Sequence, residues 1–592
     1  MTLKSIPNAR NSRLVAIAIG AIALLGAGFL QAQNTDATDT APGGATAPAV
    51  VAPSPSDSPV TPVAPVPVTA PAPDLVTPTV SSTVNIVPNG GLQSDSKGAG
   101  WPDGWGSSAP ANMSWQQEDG KHFIRMASPA PDTMVMLYHE VKIPAGVKAV
   151  EIAFRYRVTG LQKGTQNYFD ARSMFHFLDG KRQPVKPDPG VITFSSGTWT
   201  DASERTLVPD GATTLVLMPA LFKVAAGTLD LGEIRVTPLD GDTAGGIASA
   251  EAAAAATQAE QNAILAKEMA QPSTSQEIHT SGNQLVTADG KPVILQGVNI
   301  DSLEWSATGD HILWATHVAL NDWHATILRL PVMNTFWFGK GKGAQTSNNP
   351  DAYRQLIDSV VKLAATHGAY VMIDLHRFLA PDDDCALFWT DAAARYKNNP
   401  AVIFDLFNEP HDISWDLWKN GGMVPVQGKE PFHSPGMQGL IDAVRATGAK
   451  NIVVCGGLGY AFDLSGVLNG YALDDKGGNG IMYATHFYNW HKGWQDHFLN
   501  VAEKYPVIVG EFGADIKKMN FIPADQQEDP YTWAPDALGM VQKYHLNWTA
   551  FSFHTRSTPV LLSDWNFTPS PFWGAFVKDA LAGKQFEMKN MR

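Results

Sequence analysis

Eight apolar runs recur between residues 293 and 554. Each is rich in β-branched and other apolar side chains, which is typical of a strand buried on both faces. They are VILQGVNI (293–300), ATILRLPV (325–332), YVMIDLHR (370–377), VIFDLFNE (402–409), NIVVCGGLG (451–459), IMYATHFY (481–488), PVIVGEFG (506–513) and NWTAFSFH (547–554). Helical patterns lie between several of them, such as PDAYRQLIDSVVKLAATHG, which ends near Gly368. Strands alternating with helices predict an α/β fold, a (β/α)₈ TIM barrel over residues 275–592.

A different pattern occupies residues 84–240. Short runs alternate apolar and polar positions, and Gly, Pro and Asp turns separate them; examples are MVMLYHEVKI, AVEIAFRYRV, TTLVLMPALFKV and LDLGEIRVTPL. This alternation predicts an all-β sandwich. The stretches NIVPNGGLQ and WPDGW resemble the opening of jelly-roll carbohydrate-binding modules. The resemblance implies a jelly roll that binds sugar, whereas a domain that serves only for packing is the alternative, because a fold alone does not imply a function.

The remaining segments have simpler compositions. Residues 241–274 include the Ala-rich stretch 250–271, which favours a helical connector. Residues 34–83 are rich in Pro, Ala, Thr and Val and predict an extended linker. The chain is therefore expected to be a multidomain protein.

The first 33 residues have the pattern of an export signal. Lys4, Arg10 and Arg13 precede the apolar run LVAIAIGAIALLGAGFL at residues 14–30. Cleavage after Ala32 is one interpretation, and an uncleaved membrane anchor through residues 14–30 is the other. Both predict a secreted, periplasmic or cell-surface protein.

Composition excludes some functions. The 592 residues carry a formal net charge of −14, which argues against a nucleic-acid partner and leaves neutral polymers as ligands. Seventeen Trp are present, most of them expected in cores. The two cysteines, Cys385 and Cys455, either pair or stay as buried thiols, and no zinc spacing occurs. A monomer is expected.

Polar side chains stand at or near the carboxyl ends of six predicted strands. In chain order they are Arg329, His376, Asn408 with Glu409, His486 with Tyr488, Glu511 and His554. One polar end would indicate a capped loop. Because the carboxyl ends of barrel strands meet at the face that carries the active site, six such ends predict one site.

Two of these side chains are glutamates on strands that lie across the barrel from each other. Cleavage of a glycosidic bond needs such a pair, one to donate a proton and one to act as nucleophile or base. With LRLPV, IDLHR, DLFNEPH, ATHFY and VGEFG, residues 276–592 resemble family 5 glycoside hydrolases, which belong to a wider clan of retaining barrel enzymes. The order and spacing of FNEP and GEFG make the two motifs jointly specific.

The resemblance assigns roles by motif. It implies that Glu409 is the acid/base, that Glu511 is the nucleophile, and that Asn408 binds the sugar 2-hydroxyl in subsite −1. Supporting roles for the carboxylates or the sugar are implied for Arg329, His376, His486 and Tyr488. A nearby cation and hydroxyl favour an ionised nucleophile, whereas burial and a neighbouring negative charge raise the pKa of an acid. The alternatives are a core salt bridge for Arg329 and a core histidine for His376.

The eighth strand departs from the family pattern. Many family 5 enzymes end this strand with a Trp under the −1 sugar, whereas this chain has TAFSFHTRS with His554. Trp565 is a candidate substitute, although it could also pack against the last helix, and Trp305 is a candidate subsite wall. The acidic run Asp382, Asp383 and Asp384 is interpreted as a surface loop rather than a cation site. Neither a metal nor a cofactor is required for this chemistry.

Three functions follow from these patterns. The leading one is a retaining endo-β-glycanase acting on β-1,4-glucan, because GVNIDSLEW and DWNFTPSPFWGAFVKDAL resemble cellulase-type members; mannan, xyloglucan and mixed-linkage glucan stay open. A non-catalytic polysaccharide-binding surface protein is the second. A transglycosylase, which transfers the intermediate to a sugar, is the third.

Overall fold

The structure is a computed structural model that describes residues 84–164, 169–340, 349–519 and 522–592. The predicted export segment (1–33) and linker (34–83) lie outside the described residues. Within the described ranges, no helix has both the length and the apolar character needed to cross a membrane.

Two antiparallel sheets lie within residues 84–240. The first contains, in spatial order, Gly106–Ser107, Thr133–Lys142, Thr214–Val224, Ala171–Leu178 and Pro184–Val185, with Ile192–Thr193 paired to Ala171–Leu178. The second contains Met113–Glu118, Lys121–Ala127, Ala226–Pro238, Ala149–Gln162 and Thr200–Leu207. A 3₁₀ turn, Pro110–Asn112, precedes Met113–Glu118.

Both sheets contribute to one hydrophobic core. Val135 and Leu137 are buried from the first sheet, and Ile152 and Phe154 are buried from the second. Alternate residues of each strand point into this core, which explains the alternating pattern of the sequence. Each of the four alternating runs quoted above lies in one of these strands to within one residue, while the jelly-roll assignment and sugar binding stay predictions.

The Ala-rich segment is a helix, Gly241–Met269. Its amino end is capped by Asp240, whose Oδ1 accepts a hydrogen bond from the backbone N–H of Thr243 at 2.7 Å. Most of its residues are exposed, whereas Leu265 is buried in the hydrophobic cluster around the barrel.

The barrel is closed and parallel, and its strands pair in sequence order. The first to eighth barrel strands are Gln296–Asn299, Ile327–Val332, Tyr370–Leu375, Val402–Asp405, Val453–Gly456, Ile481–Tyr488, Val507–Gly513 and Asn547–Ala550. Each lies inside one of the eight apolar runs, so the predicted TIM barrel is confirmed. A small sheet of Ile278–Ser281, Gln284–Thr287 and Pro292–Val293 precedes the first barrel strand.

Helices connect the barrel strands. The α-helices are Ile312–Asn321, Asn334–Trp337, Pro350–Thr366, Asp383–Tyr396, Trp415–Asn420, Gly436–Ala446, Asn500–Ala502, Pro530–Lys543 and Trp573–Leu581, and π-helical turns span Val467–Tyr471 and Gln495–Leu499. Two short sheets, Phe378–Leu379 with Glu409–Pro410 and Gly422–Val424 with Phe432–Ser434, lie in the loops. The predicted helix before Gly368 is Pro350–Thr366, capped by the Asn349 side chain.

The barrel strands change from apolar to polar side chains along their length. Ile327, Met372 and Ile403 belong to an apolar cluster shared by the strands. Two residues further along the same strands are Arg329, Asp374 and Asp405, which share that face because side chains in a strand alternate with a period of two. The change occurs towards the carboxyl ends of the strands and starts the polar site there.

Candidate active site

Arg329 connects four barrel strands in the site. Its side chain is fully buried. Nη1 donates to Glu511 at 2.7 Å, Nη2 donates to Asn408 at 2.7 Å, and Nε donates to Asp405 at 2.9 Å. Nη2 also lies 3.2 Å from Asp374. Nη1 also donates to Oδ1 of Asn299 at 3.1 Å. Since a planar guanidinium has five fixed N–H donors, it sets the positions of all these partners.

The charges around Arg329 explain its ionisation. Burial alone would lower the pKa of Arg329, but the carboxylates of Asp374, Asp405 and Glu511 raise it, so the group stays charged. Burial raises the pKa of Asp374 to about 7 against the opposing effect of Arg329. The same two influences set the pKa of Asp405, also to about 7.

Two donors hold the Glu511 carboxylate, and each uses a different oxygen. Arg329 donates to Oε1, and the Tyr488 hydroxyl donates to Oε2 at 2.6 Å. Burial and the Glu511 charge raise the pKa of Tyr488 well above its usual value, so the phenol keeps its proton. These donors stabilise an ionised Glu511 with its oxygens in fixed positions.

Glu409 has the opposite surroundings. Burial, followed by the charge of Glu511, raises its pKa well above the usual value. Its Oε1 lies 3.0 Å from Nδ1 of His486. Burial, followed by the charge of Arg329, lowers the pKa of His486 well below its usual value, so this ring is neutral. Glu409 can therefore hold a proton at a pH where an exposed glutamate would release it.

The two carboxylates lie close together. One oxygen each of Glu409 and Glu511 and one ring nitrogen of His486 lie within 4.8 Å of one another. By distance alone these three groups could also ligate a metal ion, but the guanidinium of Arg329, 2.7 Å from Glu511, opposes a cation there. The gap is close to the spacing of about 5–5.5 Å used for nucleophilic attack and is shorter than the 6.5–9.5 Å used when a water lies between the groups.

Asn408 and His376 also lie at this site. The Asn408 Oδ1 accepts from Arg329, which leaves its buried Nδ2 without a partner among the described residues. Nδ1 of His376 lies 2.7 Å from Asp374, and burial lowers the pKa of His376 to about 4, so the ring is neutral. The amide of Asn408 thus has a donor that no described residue uses.

The remaining predicted residues form a neighbouring group. The His554 ring contacts the Trp305 ring at 5.6 Å and the Trp565 ring at 4.9 Å, both edge to face. Nε2 of His554 lies 3.3 Å from Asp310. Both Trp rings are half-buried, so each keeps an exposed part for stacking.

Several residues of the site were missed by the sequence reasoning. Asp374 and Asp405 form ion pairs with Arg329. The sequence signal for each was an acidic residue within an otherwise apolar strand. Phe551 follows the eighth strand, and its half-buried ring lies edge-on to Tyr488 at 6.5 Å. The signal for Phe551 was an aromatic residue in TAFSFH at the end of the eighth strand, where the family pattern has Trp. Trp490 stacks on Tyr488 at 4.9 Å and had no signal beyond its position in the chain.

The structure also describes the acidic run and the two cysteines noted in the sequence. Asp382 caps the helix Asp383–Tyr396 and pairs with Arg377 at 2.8 Å. Asp383 pairs with His433 and Asp384 with Lys340. The carboxylates of this acidic run are therefore used within the protein. Cys385 and Cys455 are both buried as free thiols.

A cavity of about 320 Å³ opens beyond the seventh and eighth barrel strands. Its lining includes Ala514, Ile516, Thr555 and Phe572. None of the carboxylates described above lines it, so the candidate site at the polar strand ends does not include this cavity.

Part of the chain is similar in sequence to known proteins. Residues 286–557 match the family described as Cellulase (glycosyl hydrolase family 5). Endoglucanase MaCel5A of Microbulbifer sp. (strain ALW1) is 26% identical over 291 residues, which are 47% of this chain and 51% of that protein. Endoglucanase E-5 of Thermobifida fusca is 24% identical over 295 residues, 47% of this chain and 55% of that protein. The chain spans about half the length of these curated relatives.

Solved structures give similar matches. The β-glucanase SdGluc5_26A from Saccharophagus degradans, in complex with cellotetraose, has 25% sequence identity and a TM-score of 0.43, and covers 52% of this chain and 94% of its own. The catalytic domain of Thermobifida fusca endoglucanase Cel5A has 20% identity and a TM-score of 0.41, and covers 52% and 97%. The family match and the endoglucanase relatives support a glycosyl hydrolase family 5 domain over residues 286–557.

Proposed function

We propose that this protein is a retaining endo-β-1,4-glucanase. The observation that carries the proposal is the pair of carboxylates, Glu409 and Glu511, within 4.8 Å of each other in opposite electrostatic surroundings. Arg329 and Tyr488 stabilise a charged Glu511, whereas burial favours a protonated Glu409. One carboxylate can then attack while the other protonates the leaving group.

In the first step, an ionised Glu511 oxygen attacks the anomeric carbon of the −1 sugar. The glycosidic C–O bond breaks, and Glu409 gives its proton to the departing oxygen. The product is a glycosyl ester on Glu511. Tyr488 and Arg329 hold the attacking carboxylate at a fixed position, which lowers the entropic part of the barrier.

In the second step, water replaces the leaving group. The ester carries no charge, so Glu409 loses the neighbouring negative charge that contributes to its raised pKa. Glu409 gave its proton to the leaving group in the first step, so it now acts as a base and accepts a proton from water. The water oxygen attacks the same anomeric carbon, and the ester C–O bond to Glu511 breaks and releases the Glu511 carboxylate. Two inversions give overall retention.

Substrate positioning follows from the remaining groups. The unpartnered Nδ2 of Asn408 is the donor proposed for the sugar 2-hydroxyl, a contact that strengthens in the transition state. Phe551 takes the position below the −1 sugar, and Trp305 and Trp565 form the next stacking surface. The choice of β-1,4-glucan is supported by the endoglucanase relatives. Export directed by residues 1–33 and glucan binding by the sheets of residues 84–240 are parts of the same proposal.

Trapping of the intermediate tests the mechanism. An activated 2-deoxy-2-fluoro cellobioside should leave a covalent glycosyl mass on the peptide that contains Glu511. Glu511→Gln should lower kcat about 10⁴-fold or more, whereas Glu503→Gln, an exposed glutamate on the same domain, should retain activity. A label on any other residue, or turnover by Glu511→Gln, would contradict the proposal.

A substrate panel tests the specificity. Soluble β-1,4-glucan should be cut internally, with faster loss of viscosity than release of reducing ends, and transfer to sugar acceptors should be slower than hydrolysis. Faster cleavage of mannan or xyloglucan would change the proposed substrate but not the proposed mechanism. Glycan binding without hydrolysis of any member would favour a non-catalytic surface protein.

A further inference from the structure

Tyr488, the hydroxyl donor to Glu511, is the last residue of the sixth barrel strand, and the residues that follow it form the Tyr488 loop. Within this loop, Nδ1 of His491 accepts the backbone N–H of Tyr488 at 3.0 Å, and Trp490 stacks on the Tyr488 ring. The backbone of Tyr488 is also paired with Gly513 of the seventh barrel strand. The contacts of His491 and Trp490 with Tyr488 lie within the loop and do not attach the loop to the rest of the barrel.

The next residue, Asn489, makes that attachment. Its Nδ2 donates to the backbone oxygen of Glu528 at 2.8 Å, and its own backbone oxygen accepts the N–H of Glu528 at 2.8 Å. Asn489 is 4% exposed, so both bonds are shielded from water. The position of Glu528 therefore determines the position of the residue next to Tyr488.

Glu528 is held in turn by Arg592. Nε of Arg592 donates to Oε2 of Glu528 at 2.9 Å, and Nη1 donates to Asp536. The backbone oxygen of Arg592 accepts the N–H of Trp494 at 2.8 Å, and its guanidinium lies 5.5 Å from the Trp494 ring. The Arg592 side chain is only 6% exposed. One side chain thus connects both ends of the Tyr488 loop to the helix Pro530–Lys543.

Residues 586–592 are packed closely along this helix. The backbone N–H of Phe586 donates to Gln542 at 2.8 Å, and that of Lys589 donates to Asp536. A Cβ built on Gly539 of the helix would lie 2.5 Å from the backbone nitrogen of Met588. Residues 586–592 therefore hold Arg592 next to Glu528 through their own contacts with the helix.

We propose that Arg592 is a positioning residue for the reaction, acting on Glu511 through Glu528, Asn489 and Tyr488. This inference depends on the proposed function, because it assumes that Glu511 is the nucleophile. Without Arg592, the carboxylates of Glu528 and Asp536 lose the cation between them and repel each other. The Glu528 backbone then shifts, and Asn489 carries the Tyr488 hydroxyl away from Glu511. Even a displacement of about 1 Å at a reacting group can lower the rate about 100-fold.

The first experiment compares Arg592→Ala, Arg592→Lys and a matched control. Arg395→Ala serves as the control, because Arg395 pairs with Asp358 at 2.8 Å on the barrel surface, among residues that take no part in the site. With wild-type enzyme active on soluble glucan, Arg592→Ala should lower kcat about tenfold and change KM less than about twofold. Arg592→Lys should recover part of the loss, and Arg395→Ala should match wild type. All assays are run at least 15 °C below the Tm of each variant.

The second experiment separates positioning from general stability. Arg592→Ala is combined with Tyr488→Phe, which removes the hydroxyl through which Arg592 acts. In that background, Arg592→Ala should change kcat by less than about twofold. Glu528→Gln, which keeps residues 586–592 intact and weakens only the ion pair, should reproduce most of the effect of Arg592→Ala in the wild-type background.

Two results would overturn the inference. One is an unchanged kcat in folded Arg592→Ala, and the other is an equal loss of kcat in the presence and absence of the Tyr488 hydroxyl. A wild-type protein that hydrolyses no glycan would instead overturn the proposed function, and the inference with it. The wild-type assay thus distinguishes the two failures.

Discussion

At the residue scale, identical side chains acquire different chemistry from their surroundings. Glu409 and Glu511 have the same functional group, yet only Glu511 receives hydrogen bonds from a guanidinium and a phenol. Glu409 faces a neutral imidazole and the negative charge of its partner. The two carboxylates therefore differ in the hydrogen-bond donors around them, and those donors belong to residues far away along the chain.

The assigned role of Glu409 predicts a dependence on the leaving group. Glu409→Gln should lower kcat/KM on unactivated glucan about 10²–10⁴-fold, because the departing oxygen then receives no proton. On a 2,4-dinitrophenyl cellobioside, whose leaving group needs no proton, kcat/KM should fall less than about tenfold. Equal losses on both substrates would show that Glu409 does not act as the acid.

Asp301 predicts a pH dependence of stability. It is 1% exposed, and burial raises its pKa to about 7, whereas an unfolded aspartate titrates near about 3.9. Between these values the folded protein binds a proton that the unfolded chain releases. The free energy of unfolding therefore falls as pH rises through this window, by up to about 1.4 kcal/mol per pH unit for one group.

Asp301→Asn should remove this contribution. Urea unfolding at pH 5, 6, 7 and 8 should give a shallower loss of stability for the variant, although Asp374 and Asp405 keep part of the slope because their pKa values are also raised to about 7. The exposed Asp416→Asn serves as the control and should parallel wild type. Parallel curves for Asp301→Asn and wild type would mean that Asp301 is ionised in the folded state across the whole range.

Sequence patterns predicted the chemical centre better than its support. Glu409, Glu511, Arg329, His486 and Tyr488 stand at strand ends or in specific motifs, and the structure brings them together. The roles of Asp374 and Asp405 depend on where the guanidinium of Arg329 lies, and only the folded barrel determines that position. The chemical roles of all these residues stay proposals until they are tested.

At the element scale, the seventh barrel strand combines an apolar core with the nucleophile. Gly510 precedes Glu511, and a Cβ built on it would lie 2.7 Å from Nε2 of His486. A distance below 3.0 Å requires one group to move. The strand therefore needs glycine at this position so that the ring of His486 can reach Glu409.

Gly510→Ala should consequently displace His486 and lower kcat about 10- to 100-fold. The circular dichroism spectrum should stay unchanged, because the ordinary backbone conformation of Gly510 accepts alanine. Gly180→Ala, where nothing lies within 4 Å of the built Cβ, is the matched control and should retain activity. Full activity of folded Gly510→Ala would show that the ring has room to adjust.

Strand existence was easier to predict than strand ends. The run 402–409 contains a barrel strand of only Val402–Asp405, because Glu409–Pro410 leaves the barrel and pairs with Phe378–Leu379. Similarly, Pro292–Val293 belongs to the small sheet that precedes Gln296–Asn299. Continuous apolar character indicates a buried strand, but pairing with a second partner is decided by tertiary structure.

At the scale of the whole molecule, the net charge of −14 affects encounters with charged substrates. An anionic carboxymethylated β-glucan should be repelled at low ionic strength, since the screening length is about 30 Å at 0.01 M salt and about 10 Å at 0.1 M. Its kcat/KM should rise about two- to fivefold between 10 and 200 mM NaCl. Uncharged hydroxyethyl glucan should show little change, and the same salt response on both polymers would contradict an electrostatic cause.

The succession of secondary-structure types along the described residues could be predicted because composition changes sharply along the chain. Alternating strands, an Ala-rich helix and alternating strand–helix units have different periodicities, and each part of the described chain adopts the corresponding secondary structure. The ligand of the antiparallel sheets could not be predicted from the sequence, because a sandwich fold supports many functions and binding depends on a few exposed side chains.

The two thiols have a practical meaning. Cys385 and Cys455 are each sealed inside the fold and share no bond. Thiol reductants should therefore leave the folded protein intact, and a bacterial cytosol should yield material equivalent to that made in an oxidising compartment. A disulfide or a single surface cysteine for labelling could then be introduced without pairing to either of the two buried native thiols.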